Sequence, residues 1–176
     1  VDGVNSSGGI AIPLLLERLG VKVEKMFCEP NGQFPHNPEP LPENITQICG
    51  ELVGGNKYDL GIIVDPDVDR LALVSEDGTP FGEEYTLVAV SDYVLKHTPG
   101  NTVSNLSSSR ALRDVTEKHG CEYNSAAVGE VNVVVKMKET NAIIGGEGNG
   151  GIIYPELHYG RDALVGVALF LSHLAQ

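Results

Sequence analysis

Apolar and polar positions change rhythm several times along the chain, and each change marks an element. Ile10 to Leu19 carries apolar residues at helical spacing and stops at Gly20, behind a turn of Asn5-Ser6-Ser7-Gly8-Gly9. Val21 to Phe27 reads as a strand. Glu29 to Leu41 is proline-rich, with Asn31-Gly32 and Pro35-His36-Asn37-Pro38, and so predicts a long ordered loop. A helix opens at Leu41-Pro42-Glu43-Asn44 and runs to about Gly54, with Ile45, Ile48, Cys49 and Leu52 on one face. Tyr58 to Val64 and Leu71 to Val74 are strands. Beyond Glu83 the pattern restarts: helix Tyr85 to Lys96, strand Asn101 to Leu106, helix Arg110 to His119, strand Glu122 to Ala127, helix Val133 to Thr140, strands at Ala142 to Ile144 and Ile152 to Tyr154, and helix Ala163 to Ala175. Strands alternating with helices predict an α/β protein of two consecutive βα-rich domains, residues 1–81 and 82–176, each a mixed, mostly parallel sheet flanked by helices.

Between the two strands of the first half lies Asp65-Pro66-Asp67-Val68-Asp69-Arg70. Three carboxylates at every second position converge in a short connection, and each like-charged pair at about 4 Å costs roughly 4 kcal/mol at an effective dielectric near 20. Such a cluster needs a cation or dispersal into solvent. Oxygen-only ligands suit a hard divalent ion such as magnesium, which keeps coordination places for water and phosphate. A calcium-binding EF-hand loop is excluded, because its sixth position must be glycine and here it is Arg70. A DxDxT phosphatase motif lacks its threonine.

Composition narrows the classes. The 176 residues include 24 acidic and 12 basic ones, for a formal net charge of -12, which argues against a nucleic-acid or anionic-membrane coat. No apolar run approaches the length of a membrane span and no signal-peptide pattern is present, so a cytoplasmic protein is expected. Cys28, Cys49 and Cys121 are widely spaced and predict neither a disulfide framework nor a zinc site. The chain opens on what reads as a strand already under way and closes on an uncapped apolar helix, as an excised fragment would.

Three further stretches carry candidate chemistry. Asn5 to Gly9 precedes a helix and has anion-binding potential, but without a lysine it is no P-loop, and a tight turn with helix capping explains it better. Ser107 to Ser109 is a hydroxyl-rich turn that serves either as an N-cap or as a phosphate or sugar contact. Gly145-Gly146-Glu147-Gly148-Asn149-Gly150-Gly151 holds five glycines around one acid and one amide. Glycine admits close backbone approach, and Glu147 with Asn149 supplies acceptors and donors for neighbouring hydroxyls. His36 reads as a ligand or as a brace within its loop.

Taken in order, VNSSGG, NGQFPHNPEP, DLGIIVDPDVDRLALV, VGEVNVVVKM and GGEGNGG through YGRDAL resemble the α-D-phosphohexomutase family, which includes phosphoglucomutase, phosphomannomutase and phosphoglucosamine mutase. The resemblance runs along nearly the whole chain and implies domains two and three of a four-domain enzyme. It implies that Asp65, Asp67 and Asp69 bind Mg2+, that Arg70 contacts the transferred phosphoryl group or steadies the acidic loop, and that Glu147 and Asn149 bind sugar hydroxyls. The family phosphoserine and phosphate-binding loop belong to domains one and four, which are the implied partners, together with a hexose phosphate substrate. Which hexose, whether glucose, mannose or glucosamine, stays open. Alternatives are a noncatalytic metal- or sugar-binding module, or a phosphatase using Asp65 as nucleophile.

The chain departs from the family pattern in two loops. Pro66 and Val68 stand where glycines are common, so the loop is expected to avoid positive φ there. In the sugar loop, commonly GEMSGH, Asn149 stands for serine and Gly151 for histidine, and His158 downstream is a candidate replacement for that imidazole.

Overall fold

The computed structural model describes residues 1–54 and 57–176. It divides into two compact units, Val1–Gly82 and Glu83–Gln176. Both are α/β.

In the first unit, helix α1 (Gly8–Arg18) and helix α2 (Thr46–Leu52) accompany the antiparallel pair β1 (Leu60–Val64) and β2 (Leu71–Ser75). The sheet is mixed, because Asp2 makes parallel bridges to Ile63 and to Met26. The register Gly61↔Val74 and Ile63↔Ala72 puts one face of the hairpin against α2. There Ile63, Ala72 and Val74 bury with Ile45, Ile48 and Leu52. The opposite face includes Val64, 0% exposed, against the start of α1. A hairpin buried on both faces explains why both strands read as unbroken apolar runs.

Two expectations shift. The predicted strand over Val21 to Phe27 pairs only at Met26, and beyond that bridge Val4, Asn5 and Phe27 all have positive φ and turn both segments out of line. The predicted helix from Leu41 begins at Thr46, since the Leu41 carbonyl instead closes a turn with the N–H groups of Asn44 and Ile45.

The second unit carries β3 (Thr102–Asn105), β4 (Tyr123–Ala126), β5 (Ile144–Gly146) and β6 (Ile152–Ile153) in the order β4-β3-β5-β6. The first two pairings are parallel and β5–β6 is antiparallel. Helices α3 (Glu83–His97), α4 (Ala111–Lys118), α5 (Glu130–Thr140) and α6 (Ala163–Leu174) flank it. Helix α5 covers the face bearing Val103 and Ala126 with Val133 and Met137. Helix α3 packs on α4 and α6. Among the described residues, no helix is long and apolar enough to cross a membrane.

Candidate functional site

Each candidate loop is the tip of an antiparallel hairpin. In the first unit, Val64↔Leu71 is the last strand pair, so residues 65–70 form the tip. The Val68 N–H donates to the Asp65 carbonyl at 3.1 Å, and the N–H groups of Asp69 and Arg70 both donate to Asp65 Oδ1 at 3.0 Å. Curling three successive amides around one aspartate requires a left-handed residue, and Val68 takes it at φ +63°. The expectation that position 68 avoids positive φ therefore fails. A β-branched residue there costs about 1–3 kcal/mol, which the surrounding hydrogen bonds offset.

This curl gathers the carboxylates. One oxygen from each of Asp65, Asp67 and Asp69 lies within 4.8 Å of the others, with Asp65 buried, Asp67 exposed and Asp69 between. Octahedral magnesium places its oxygen ligands about 3–4 Å apart, so small side-chain rotations close the set around an ion. Electrostatics favours the same outcome. Burial pushes the Asp65 carboxyl up to about 6, against the two backbone hydrogen bonds, and the neighbouring Asp69 carboxyl adds to the rise. A carboxylate that resists ionising beside another carboxylate is one that a divalent cation relieves. The donor set and its charge deficit fit a hard metal ion.

Arg70 follows the triad. Its Nη1 donates to Glu39 Oε1 at 2.7 Å and its Nε lies 3.7 Å from Asp65 Oδ2. Glu39 belongs to the proline-rich loop, which a second contact also ties down: His36 Nδ1–H donates to the Asn37 carbonyl, and Nε2 lies 2.9 Å from Oδ2 of the buried Asp2. His36 is a brace. From the other side, the hydroxyls of Ser6 and Ser7 donate to the Pro66 carbonyl at 2.7 and 2.8 Å. The Gly/Ser turn thus holds the acidic loop. Its helix approaches so closely that a Cβ on Gly8 would lie 2.3 Å from Val64 Cγ2.

In the second unit, the tip between β5 and β6 carries Glu147, 4% exposed. Its Oε1 accepts from Asn105 Nδ2 at 2.8 Å and from the Gly129 N–H at 3.1 Å, while Oε2 accepts from Arg161 Nη1 at 3.1 Å. Asn149 Oδ1 accepts the Gly151 N–H at 3.2 Å, which shapes the turn. Ser107 and Ser108 donate to Asn105 Oδ1 at 3.0 and 2.9 Å, so this turn orients the asparagine that holds Glu147. His158 is half exposed. Its Nδ1 accepts the Gly160 N–H at 3.0 Å and its Nε2 lies 2.9 Å from Asp162 Oδ2. Reading the sequence for lone motifs missed Glu39, Asn105, Glu130 and Arg161, and read the Ser6-Ser7 turn for capping or an anion rather than for its hold on Pro66. Their roles exist only through contacts between distant segments.

The fold is thus a pair of α/β units, with a hairpin carboxylate triad suited to a hard cation in one and a glycine-flanked, buried glutamate in the other. Family models are specific: phosphoglucomutase/phosphomannomutase alpha/beta/alpha domain II matches residues 1–78, and alpha/beta/alpha domain III matches residues 82–176. The chain belongs to the phosphoglucomutase/phosphomannomutase family. It is 34% identical to a phosphoglucomutase/phosphomannomutase of Thermococcus kodakarensis, over 100% of this chain and 39% of that protein. It is 32% identical to a phosphoglucomutase of Neisseria gonorrhoeae, over 92% of this chain and 36% of that one. Among solved structures, a phosphoglucomutase/phosphomannomutase family protein from Burkholderia thailandensis superposes with a TM-score of 0.88 at 28% identity, covering 98% of this chain and 39% of its own. The chain thus spans about 39% of the length of such relatives.

Proposed function

We propose that the intact protein is a magnesium-dependent phosphohexomutase of the cytoplasm that interconverts hexose 1-phosphate and hexose 6-phosphate through a phosphoserine and a bisphosphorylated hexose. The observation that carries this reading is the convergence of Asp65, Asp67 and Asp69 within 4.8 Å, in a chain of this family. Residues 1–81 form the domain that holds the metal, and 82–176 the domain that holds the sugar.

Asp65, Asp67 and Asp69 hold the ion. When bound, magnesium supplies Lewis-acid stabilisation of charge on the transferring phosphoryl oxygens. Arg70 presents its guanidinium beside the same loop, held by Glu39 and Asp65, where it contacts the phosphoryl group. Glu147 accepts hydrogen bonds from hexose hydroxyls, and Asn149 contacts the same ring. His158, whose ring is bonded to Asp162 and Gly160, supplies the imidazole for the same sugar. The phosphoserine and the principal phosphate-binding loop are contributed by domains one and four of the same polypeptide.

Substituting Asp67, the exposed member of the triad, tests the reading with the least disturbance to the fold. Asp67→Asn in the intact protein lowers kcat by about 100-fold or more, with KM for the hexose phosphate changed by less than about threefold. Unchanged turnover would overturn the metal assignment.

A further inference from the structure

The glycine-rich tip is organised by a cation. Arg161 bridges β6 at Ile153, and its side chain is only 15% exposed. Nη1 donates to Glu147 Oε2 at 3.1 Å, and Nε lies 3.4 Å from Glu130 Oε2. The Arg161 N–H also donates to Glu130 Oε1 at 3.1 Å. One arginine therefore joins the first residue of α5 to the carboxylate of the loop. Its stem has a second effect. A Cβ built on Gly151 would lie 2.4 Å from Arg161 Cδ and 3.1 Å from Cγ. The arginine occupies the space that any side chain at 151 would need.

We propose that Arg161, itself anchored by Glu130, is the positioning residue of the hexose site: its guanidinium sets the orientation in which Glu147 meets the sugar hydroxyls, and position 151 is glycine because the Arg161 stem lies across it. The proposal rests on the reading of Glu147 as a hexose contact. With Asn105 and Gly129 on Oε1 and Arg161 on Oε2, both ends of the Glu147 carboxylate are fixed, and Arg161 is the charged partner. Removing Arg161 frees one end of the carboxylate and leaves its charge unbalanced. A lysine restores charge but not the planar fork that reaches Glu147 and Glu130 together.

Kinetics of the intact protein with hexose 1-phosphate separate the possibilities. Arg161→Gln raises KM about tenfold and Arg161→Lys about threefold, with kcat in the lysine variant within about twofold of wild type. A general structural defect would lower kcat and active fraction without this graded rise in KM. The packing half is read by melting: Gly151→Ala lowers Tm in the wild-type background but not in Arg161→Ala, where the atom it collides with is gone. Unchanged KM in both arginine variants, while Glu147→Gln still raises it, overturns the proposal and leaves Glu147 as a sugar contact. Unchanged KM in Glu147→Gln as well overturns the reading on which it rests. Additive melting shifts in the Gly151 and Arg161 variants overturn the account of the glycine.

Discussion

Ser6 Oγ donates to the carbonyl of Pro66 across a separation of 60 residues, and Ser7 Oγ donates to the same oxygen. The turn before α1 and the acidic hairpin tip are thereby one rigid assembly, with the brace placed on the residue between Asp65 and Asp67. Removing both hydroxyls loosens the tip without touching a carboxylate. Ser6→Ala/Ser7→Ala lowers Mg2+ affinity by about tenfold, in the range of outer-shell substitutions at metal sites, and each single change has a smaller effect because the other hydroxyl remains. Calorimetric titration with Mg2+ measures it, and an unchanged double variant would remove the brace from the account.

Val68 stores strain that a better-suited residue releases. Val68→Asn stabilises the metal-free chain by about 1 kcal/mol, because asparagine tolerates the left-handed region at φ +63°. Val68→Gly stabilises by less, since glycine's freedom in the unfolded chain offsets part of the gain. Differential scanning calorimetry decides, and a destabilised Val68→Asn would mean that the valine side chain contributes more by packing than its backbone costs.

The Asp65 carboxyl makes metal-free stability fall as pH rises. Its folded value, about 6, lies above the ordinary 3.8, so between these values the folded state holds the proton more tightly than the unfolded one. A cost therefore accumulates as pH rises through this window and stays in full above about pH 6. Asp65→Asn, which keeps an oxygen for the two N–H donors, raises the Tm of the metal-free chain at pH 7.5 and removes its share of the pH dependence. Saturating Mg2+ stabilises the wild type at pH 7.5 and loses this effect toward pH 5. A metal-free Tm insensitive to the substitution contradicts the burial argument.

His36 secures the proline-rich loop through Asp2. His36→Ala removes the 2.9 Å partner of a carboxylate that is 1% exposed, at a cost of about 1–3 kcal/mol. Adding Asp2→Asn recovers part of the loss, because a neutral amide needs the imidazole less. Chemical denaturation of the four proteins in the cycle gives the coupling, and strict additivity would show that the contact does not hold the loop.

How far the chain could be read in advance depended on whether a feature is local. The acidic tip was visible because its three carboxylates fall within five residues and both flanking strands are apolar throughout, a pattern that follows from burial on both faces. The glycine loop was visible for the same reason. Val21 to Phe27 misled because alternating apolar residues read as a strand, yet none of the seven is buried, and past the Met26 bridge Val4, Asn5 and Phe27 take positive φ. Val68 misled because propensity ranks a valine low in the left-handed region, while three hydrogen bonds to Asp65 outweigh that preference. Arg161 had no signal of its own: its meaning lies in Glu130 and Glu147, 31 and 14 residues away.

The pairing of Val64 with Leu71 has a consequence for how the metal loop can be edited. Strand side chains change face at every step, so an insertion or deletion between 65 and 70 that slipped β2 by one residue would exchange the places of Leu71 and Leu73 with those of Ala72 and Val74. All four are buried, and Ala72 sits in the cluster against Ile48, where a leucine has no room. Proline suits position 66 but not 68, where φ is +63° and the N–H donates to the Asp65 carbonyl. A change in loop length that the tip does not absorb would therefore be felt in the hairpin core.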